Sequence, residues 1–391
     1  MGKKNITALI LAAGYSSRLG EFKPLLRLGE KTLWEWTSEL FRRAGIGDIR
    51  VVVGHRAEEL IPWLEREKPS WVLNPNYHQG MFSSVLTGVE TIEKDCEAFF
   101  VLPVDIPLVR PQTIRALVAA YREGRGSIVY PVFSGTRGHP PLISTAHVEA
   151  LRGYSGLGGL RGFLNAQGER AIEVEVADEG ILLDVDTRCD YEKLAAKCER
   201  RGIPTVAECL ELLRTHTKPG SGVVEHSVKV TQVSLCLARA LNHAGFRMDM
   251  EVVTAAGLLH DVARGDPRHA EAGAELLRSL GYPEVAEVVS AHMDITVEEK
   301  GVVSLQELLY LADKLVEGNK VIALKERLHE KLCRYGRDPE ARQALSARMT
   351  SARRIKEKIE AYTRQPLSAI LAETLGEAPH GEVDDLLGTA R

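Results

Sequence analysis

Cysteine is scarce in this chain and never paired along it. The six cysteines, Cys96, Cys189, Cys198, Cys209, Cys236 and Cys333, are spread over 391 residues without one Cys-x-x-Cys spacing. That pattern argues against a thiolate metal site and against a disulfide framework, so the thiols are expected to be reduced and structural. An excess of positive charge is also missing: 50 Lys and Arg against 54 Asp and Glu leave a formal charge of −4. No nucleic-acid partner is expected, because phosphate-backbone binding needs a net basic face. Small anionic substrates remain allowed, since local Arg and Lys serve them. No apolar run approaches the ~20 residues that cross a bilayer, and the first, Ile6 to Leu11, is too short for a signal peptide. A cytoplasmic protein without membrane contact is expected. After that first apolar run there is neither Gly-x-x-x-x-Gly-Lys-Ser/Thr nor Gly-x-Gly-x-x-Gly, so neither a P-loop nor a dinucleotide fold is the natural reading.

What is present fills two or three cores: 44% of the residues are hydrophobic, in a chain too long for one ordinary domain. From residue 5 to about 200, short β-branched runs alternate with amphipathic stretches. Strands are predicted at Ile6 to Leu11, Ile49 to Val53, Phe99 to Leu102, Ile128 to Pro131 and Ile172 to Val176, with helices at Thr32 to Arg43, Ala57 to Arg66 and Gln112 to Arg122. The alternation predicts an α/β fold, a doubly wound and mostly parallel sheet covered on both faces, with ligands at the carboxyl ends of the strands.

The segment after the first strand, Leu11-Ala12-Ala13-Gly14 through Arg18, Gly20 and Lys23, has the make-up of a triphosphate cradle. Small residues let the backbone approach a nucleotide, and Arg18 and Lys23 stand where cleavage of a phosphoanhydride builds negative charge. Asp105 follows the Phe99 to Leu102 strand between Pro103 and Pro107, so it is expected to project toward the same crevice. There it would serve as a magnesium ligand, since Mg²⁺ prefers one or two carboxylates plus phosphate oxygens. Gly80-Met81-Phe82-Ser83-Ser84 opens a helix whose free N–H groups and hydroxyls could hold base or ribose; a plain helix cap is the alternative.

From Ala207 onward the strand signal disappears and an all-α half is predicted. Residues 203–222 read as a linker, with Pro219, Gly220 and Gly222 as breakers, between a first domain at 1–202 and a second at 223–338. The remainder, 339–391, reads as a helical extension and a tail that frays after Glu373. The extension is rich in Arg and Lys, expected to be a solvated face packed on one side, with contact to substrate or a partner as the alternative. In the helical half His226, adjacent His260-Asp261, His292 and Asp313 fall on apolar stripes of separate helices. Imidazoles and carboxylates aimed into one apolar interior are costly to bury unless something pairs with them, and a divalent cation does so.

These motifs resemble two known families. The cradle, with Gly80-Met81-Phe82-Ser83-Ser84, Pro103-Val104-Asp105-Ile106-Pro107, Gly138-His139-Pro140-Pro141 and Asp184-Val185-Asp186-Thr187, is similar to the molybdenum cofactor nucleotidyltransferases of the nucleoside-triphosphate transferase superfamily. The resemblance covers roughly the first half of the chain. It implies that Leu11, Ala12, Ala13, Gly14, Gly80, Ser83 and Ser84 bind nucleotide with Arg18 and Lys23. It further implies that Asp186 is a second Mg²⁺ carboxylate and that Gly138, His139 and Pro140 meet the acceptor, for which a structural hairpin is the alternative. Ala-Ala-Gly in the cradle is associated with the cytidylyl branch of that family. Where the family continues Asp-Thr-Pro-Glu-Asp, this chain reads Asp186-Thr187-Arg188-Cys189-Asp190.

The second half resembles the HD phosphohydrolase superfamily at His260-Asp261, with His269, His292 and Leu311-Ala312-Asp313-Lys314 similar to a branch that hydrolyses dinucleoside polyphosphates. This implies that His269 and His292 support a second metal, that Asp261 is catalytic, and that the ions are divalent transition metals such as Mn²⁺ or Fe²⁺. The pair continues Val262-Ala263-Arg264, where many relatives carry a Lys near Arg264. The expected protein is thus a cytidylyltransferase using CTP and a molybdopterin-type acceptor and releasing pyrophosphate, fused to a phosphohydrolase of unidentified substrate. A molybdoenzyme or its maturation factor is a candidate partner. The alternatives are a sugar- or alcohol-phosphate acceptor, or a carrier or maturation chaperone with a nucleotide-sensing HD domain.

Overall fold

The computed structural model describes residues 5–15, 19–168, 171–298, 301–335 and 338–372. Arg18 and the tail after Glu373 lie outside the described residues. The chain divides into two compact units, Met1–Arg201 and Gly202–Arg391.

In the first unit, eight described strands form one sheet: β1 (Asn5–Ala12), β2 (Asp48–Val53), β3 (Ser70–Leu73), β4 (Cys96–Pro103), β5 (Ile128–Phe133), β6 (Thr136–Arg137), β7 (Leu142–Ser144) and β8 (Ala171–Glu175). Their order is β8-β5-β7-β4-β1-β2-β3, with β6 paired to β5. β1 is parallel to β2 and β4, and β3 to β2, whereas the three-residue β7 runs antiparallel to both β4 and β5. The sheet is therefore mixed at β7, which carries too few residues to show an alternating pattern. Apolar residues fill β1 because helices cover both of its faces. Phe99 shares a cluster with Leu9, Val85 and Val89 on the side of α3 (Met81–Val89), while Phe100 meets Phe41 of α1 (Leu33–Ala44) at 5.5 Å. α1 starts at a capping box formed by Thr32 and Glu35. Register then places the ligand-facing loops: Leu11 pairs with Pro103, and Val104 N–H donates to the Leu11 carbonyl at 3.0 Å. The loop after β1 and the Asp105 loop after β4 leave the sheet side by side.

Further along lie α2 (Ala57–Glu67), α4 (Pro111–Arg122), α5 (Gly159–Ala166) and α6 (Arg188–Glu199). The second unit opens with α7 (Val206–His216). Most of the expected linker 203–222 is thus a packed helix: Thr205 and Glu208 make a capping box, and Cys209, Leu212 and Leu213 are buried. Pro219 and the glycines mark only the turn that follows. Next come α8 (Val223–His243), α9 (Met250–Leu259), α10 (His269–Ser279), α11 (Pro283–Ser290), α12 (Leu305–Lys314), α13 (Leu324–Tyr335) and α14 (Pro339–Thr363). The half expected to be wholly helical also contains a two-residue ribbon, Val316–Glu317 against Lys320–Val321, turning at Gly318 with φ +60°. α8 and α9 approach closely because position 257 is glycine; a Cβ there would lie 2.6 Å from Thr231 Oγ1.

Candidate functional site

In the first unit a cavity of about 240 Å³ opens at the carboxyl ends of β1 and β4, walled by the Leu11–Gly14 loop, Gly80, Ser84 and Asp105. Lys23 begins a single turn at Lys23–Leu25 pinned by Pro24. Its ammonium donates to Asp105 Oδ2 at 2.9 Å and to Asp186 Oδ1 at 2.7 Å. Burial alone would lower the Lys23 pKa, but Asp105 and Asp186 outweigh it and raise it, so the cation persists at neutral pH. Asp184 is the third carboxylate here, raised by burial and by repulsion from Asp105 and Asp186. Two or three carboxylates beside that cavity are hard oxygen donors of the kind that suit Mg²⁺. The departure at Asp186-Thr187-Arg188 leaves the local turn intact, because Thr187 caps α6 in a box with Asp190.

The other sequence-derived positions divide. Gly80, at φ +95°, is the N-cap of α3. Ser83 is committed to its own fold: its hydroxyl lies 2.8 Å from the Gly80 carbonyl and 2.9 Å from that of Asn76, and accepts from Asn74 at 2.9 Å. Ser84 lines the cavity and also accepts from Asn74. Gly138 is needed for packing, since a Cβ would lie 2.6 Å from Ile181. His139 and Gly138 wall an adjoining cavity of about 810 Å³ together with Arg137, Arg161 and Asn165. The His139 pKa is lowered by burial, with Asp105 opposing, and its Nδ1 has no partner among the described residues. Sequence reasoning missed the aromatic group at the cavity mouth, where Tyr15 lies 5.0 Å from His55 and 5.3 Å from Tyr77. These residues sit in three separate loops, so no spacing pattern joins them.

In the second unit the expected histidines and aspartates converge. His226 enters from α8, His260 and Asp261 from the end of α9, His269 from α10, His292 from the turn after α11, and Asp313 from α12. Asp261 is the shared member. Its Oδ2 lies 3.4 Å from His260 Nε2 and 3.8 Å from His226 Nε2, and its Oδ1 lies 3.5 Å from His269 Nε2 and 3.7 Å from His292 Nε2. Asp313 Oδ1 is 3.3 Å from His226 Nε2.

The histidine tautomers follow from the backbone. Nδ1–H of His226, His260 and His292 donates to the carbonyls of Gly318, Gly257 and Val289 at 2.9, 2.8 and 2.7 Å. A carbonyl only accepts, so when any of these rings is neutral its unprotonated nitrogen is the Nε2 that faces the cluster, the arrangement of metal-binding imidazoles. Nε2 of His260 and of His292 is buried without a hydrogen-bond partner. Two groups of three donors, His226, His260, Asp261 and Asp261, His269, His292, each fall within the span of one ion. Mixed imidazole and carboxylate donors suit Mn²⁺ or Fe²⁺ better than Mg²⁺.

Burial opposes it, but His260 and His292 hold the Asp261 carboxyl far below its ordinary range. Asp313 is likewise lowered against burial, chiefly by Lys314, whose ammonium is 2.6 Å from Oδ2, and by His226. Arg264 pairs with Asp261. Arg327, on α13, donates to the Asp313 carbonyl at 2.9 Å and was not foreseen, because no motif marks it. The cluster opens into a cavity of about 610 Å³.

Residues 8–171 match the family model described as a MobA-like NTP transferase domain, and residues 223–318 match the HD domain. Over 187 residues, 48% of this chain and 93% of the relative, the chain is 28% identical to a molybdenum cofactor cytidylyltransferase of Escherichia coli K12. It is 30% identical over 189 residues, 46% of this chain and 92% of the relative, to nicotine blue oxidoreductase of Paenarthrobacter nicotinovorans. Among solved structures, a nucleotidyl transferase from Methanothermobacter thermautotroptrophicus is similar with a TM-score of 0.45 and 23% identity, over 51% of this chain and all of that one.

Proposed function

Because the chain belongs to the family of MobA-like NTP transferase domains and carries an HD domain as well, we propose that its nucleotidyl transfer is from CTP to a molybdopterin-type phosphate. The carrying observation is the ammonium of Lys23 between Asp105 and Asp186 at the cavity bordered by Leu11–Gly14. Fold alone would not carry the reaction, since a relative in the same family bears an oxidoreductase name. Ala12 and Ala13 line the small cavity, and CTP is favoured because Ala-Ala-Gly in this loop is the form associated with the cytidylyl branch of the family that it resembles.

In this reading an acceptor phosphate oxygen forms a bond to the α-phosphorus, the α–β bridging P–O bond breaks, and its electron pair leaves on pyrophosphate. Lys23 neutralises the developing charge, Asp105 and Asp186 would hold Mg²⁺, and the larger cavity with Arg137, Arg161 and His139 receives the acceptor. Mg²⁺, when bound, supplies further charge neutralisation on the triphosphate. No protein nucleophile is required.

The second unit is proposed to be a phosphohydrolase. His226, His260, Asp261, His269 and His292 would hold one or two divalent ions, with Asp313 beside His226. Bound metal lowers the pKa of water. In the hydrolysis a water oxygen would form the new bond to phosphorus while the ester or anhydride P–O bond breaks, its electron pair leaving on the departing oxygen, which takes up the proton that the water gives up. Arg264 and Arg327 steady the phosphate.

Labelled CTP with molybdopterin, and separately with sugar phosphates, tests the first half while pyrophosphate and orthophosphate are followed apart. Cytidylylated molybdopterin with stoichiometric pyrophosphate is expected. A product with a sugar phosphate alone would overturn the acceptor, and binding without any pyrophosphate would turn the unit into a carrier.

A further inference from the structure

Three of the cluster's imidazoles are oriented through Nδ1, but not by the same means. Nδ1–H of His260 donates to the Gly257 carbonyl and that of His292 to the Val289 carbonyl, each three residues earlier in the chain. Those two rings are held within their own turns. His226 is different: it lies near the start of α8, and its Nδ1–H donates at 2.9 Å to the carbonyl of Gly318, 92 residues away. The orientation of this one ring therefore depends on the tip of the ribbon that pairs Val316–Glu317 with Lys320–Val321. Two residues per strand are too few to hold such a ribbon by themselves.

What holds it is α13, which follows the residues 223–318 matched by the HD domain. Arg327 is largely buried, and its Nη1 donates to the Val316 carbonyl and, at 2.9 Å, to that of Asp313. One guanidinium thus ties the last turn of α12 to the first strand of the ribbon. Lys331, one turn further along α13, reaches Glu317 Oε1 at 3.2 Å. A guanidinium has five N–H donors and these carbonyls take only those of Nη1, so the clamp is compatible with a phosphate at Nε or Nη2.

We propose that Arg327 is a positioning residue for the first group of donors, His226, His260 and Asp261. Through the ribbon and the Gly318 carbonyl it fixes which nitrogen of His226 carries the proton and where Nε2 stands. In the second group, Asp261, His269 and His292, no ligand is bonded to the ribbon among the described residues. The inference rests on the reading of the cluster as a divalent-metal site and adds that its two ions are unequal, one depending on α13 and the other not.

The test is a calorimetric titration of Mn²⁺ into the full chain, with excess Mg²⁺ present to fill the transferase carboxylates, for the parent, Arg327→Met, His226→Ala and the double variant. Arg327→Met is expected to weaken one ion about 10- to 100-fold and to leave the other unchanged. In the double variant it should add nothing to the loss caused by His226→Ala, because the ligand it positions is already gone. Ring nitrogen shifts of the metal-free chain at about pH 8, above the ordinary histidine pKa of about 6.5, read the tautomers directly. In Arg327→Met the His226 ring should pass from Nδ1–H alone to a mixture, while His292 stays as it is. Arg327→Lys should recover part of both effects, since an ammonium can serve one of the two carbonyls. Equal weakening of both ions, or a His226 ring that keeps its tautomer in Arg327→Met, would overturn the inference and leave the metal site standing. If the parent takes up no Mn²⁺ under these conditions, the cluster is not a metal site and both readings fall.

Discussion

Lys23 shows how much one side chain can carry. It is nearly buried, it is bonded to carboxylates 82 and 163 residues away, and it stays charged because those two partners outweigh its desolvation. Lys23→Met removes the cation without removing much volume, and pyrophosphate release should fall about 10²-fold. A rate within a few-fold of the parent would place the transfer chemistry elsewhere. At the second site the shared residue is Asp261. Asp261→Asn should empty both groups of donors, whereas His292→Ala should remove one ion and keep the one at His226 and His260. Elemental analysis of metal per chain reads both outcomes, and an unchanged metal content in Asp261→Asn contradicts the bridging role. Gly257 works through packing alone. Gly257→Ala drives a methyl group into Thr231 and should cost about 1–3 kcal/mol, read from thermal unfolding.

Among the elements, α14 depends on connections that its sequence conceals. Its Arg- and Lys-rich composition describes the solvated side correctly, but Met349, Ala352, Ile355 and Ile359 form a buried stripe. Lys358 reaches Glu307 of α12 with both side chains almost wholly buried and both carboxylate oxygens at 2.9 Å. Lys358→Met would leave the Glu307 charge buried alone and should destabilise the helical unit by about 3 kcal/mol, with Lys358→Met/Glu307→Gln recovering part of it. An unaltered calorimetric transition would show the pair to be dispensable. The Asp294 carboxyl is lowered by its bonds to Arg348. Since the folded value lies below the unfolded one, this link is present above the ordinary carboxylate pKa of about 3.9 and is lost as pH falls through the lower folded value. Hydrogen exchange in α14 should therefore quicken only in acid. Elements of two or three residues escaped sequence reading for a simple reason. β7 and the ribbon at Gly318 are too short for any period, yet the ribbon supplies the carbonyl that fixes the His226 tautomer.

For the whole molecule, two units with separate cores and separate constellations predict separable chemistry. Under the two proposed activities, Asp105→Asn should abolish pyrophosphate release and leave phosphate-ester or anhydride hydrolysis at the HD unit intact, and Asp261→Asn should do the reverse. Loss of both activities in either single variant would show that the sites work as one. Among the described residues no helix is long and apolar enough to cross a membrane.

Strand alternation, the small-residue loop and the His-Asp pair were legible along the chain because backbone periodicity and ligand chemistry are local requirements. They sufficed for the α/β first half, the helical second half, and most of the residues that gather at each site. The tertiary structure alone decided which carboxylates meet Lys23, that the Ser83 hydroxyl is bonded within its own turn, that Gly138 packs on Ile181, that Arg327 and α14 border the second cavity, and that residues 206–216 are a buried helix. Those outcomes depend on strand register and on helix faces meeting across tens of residues, and contacts between distant segments leave no period in a single sequence.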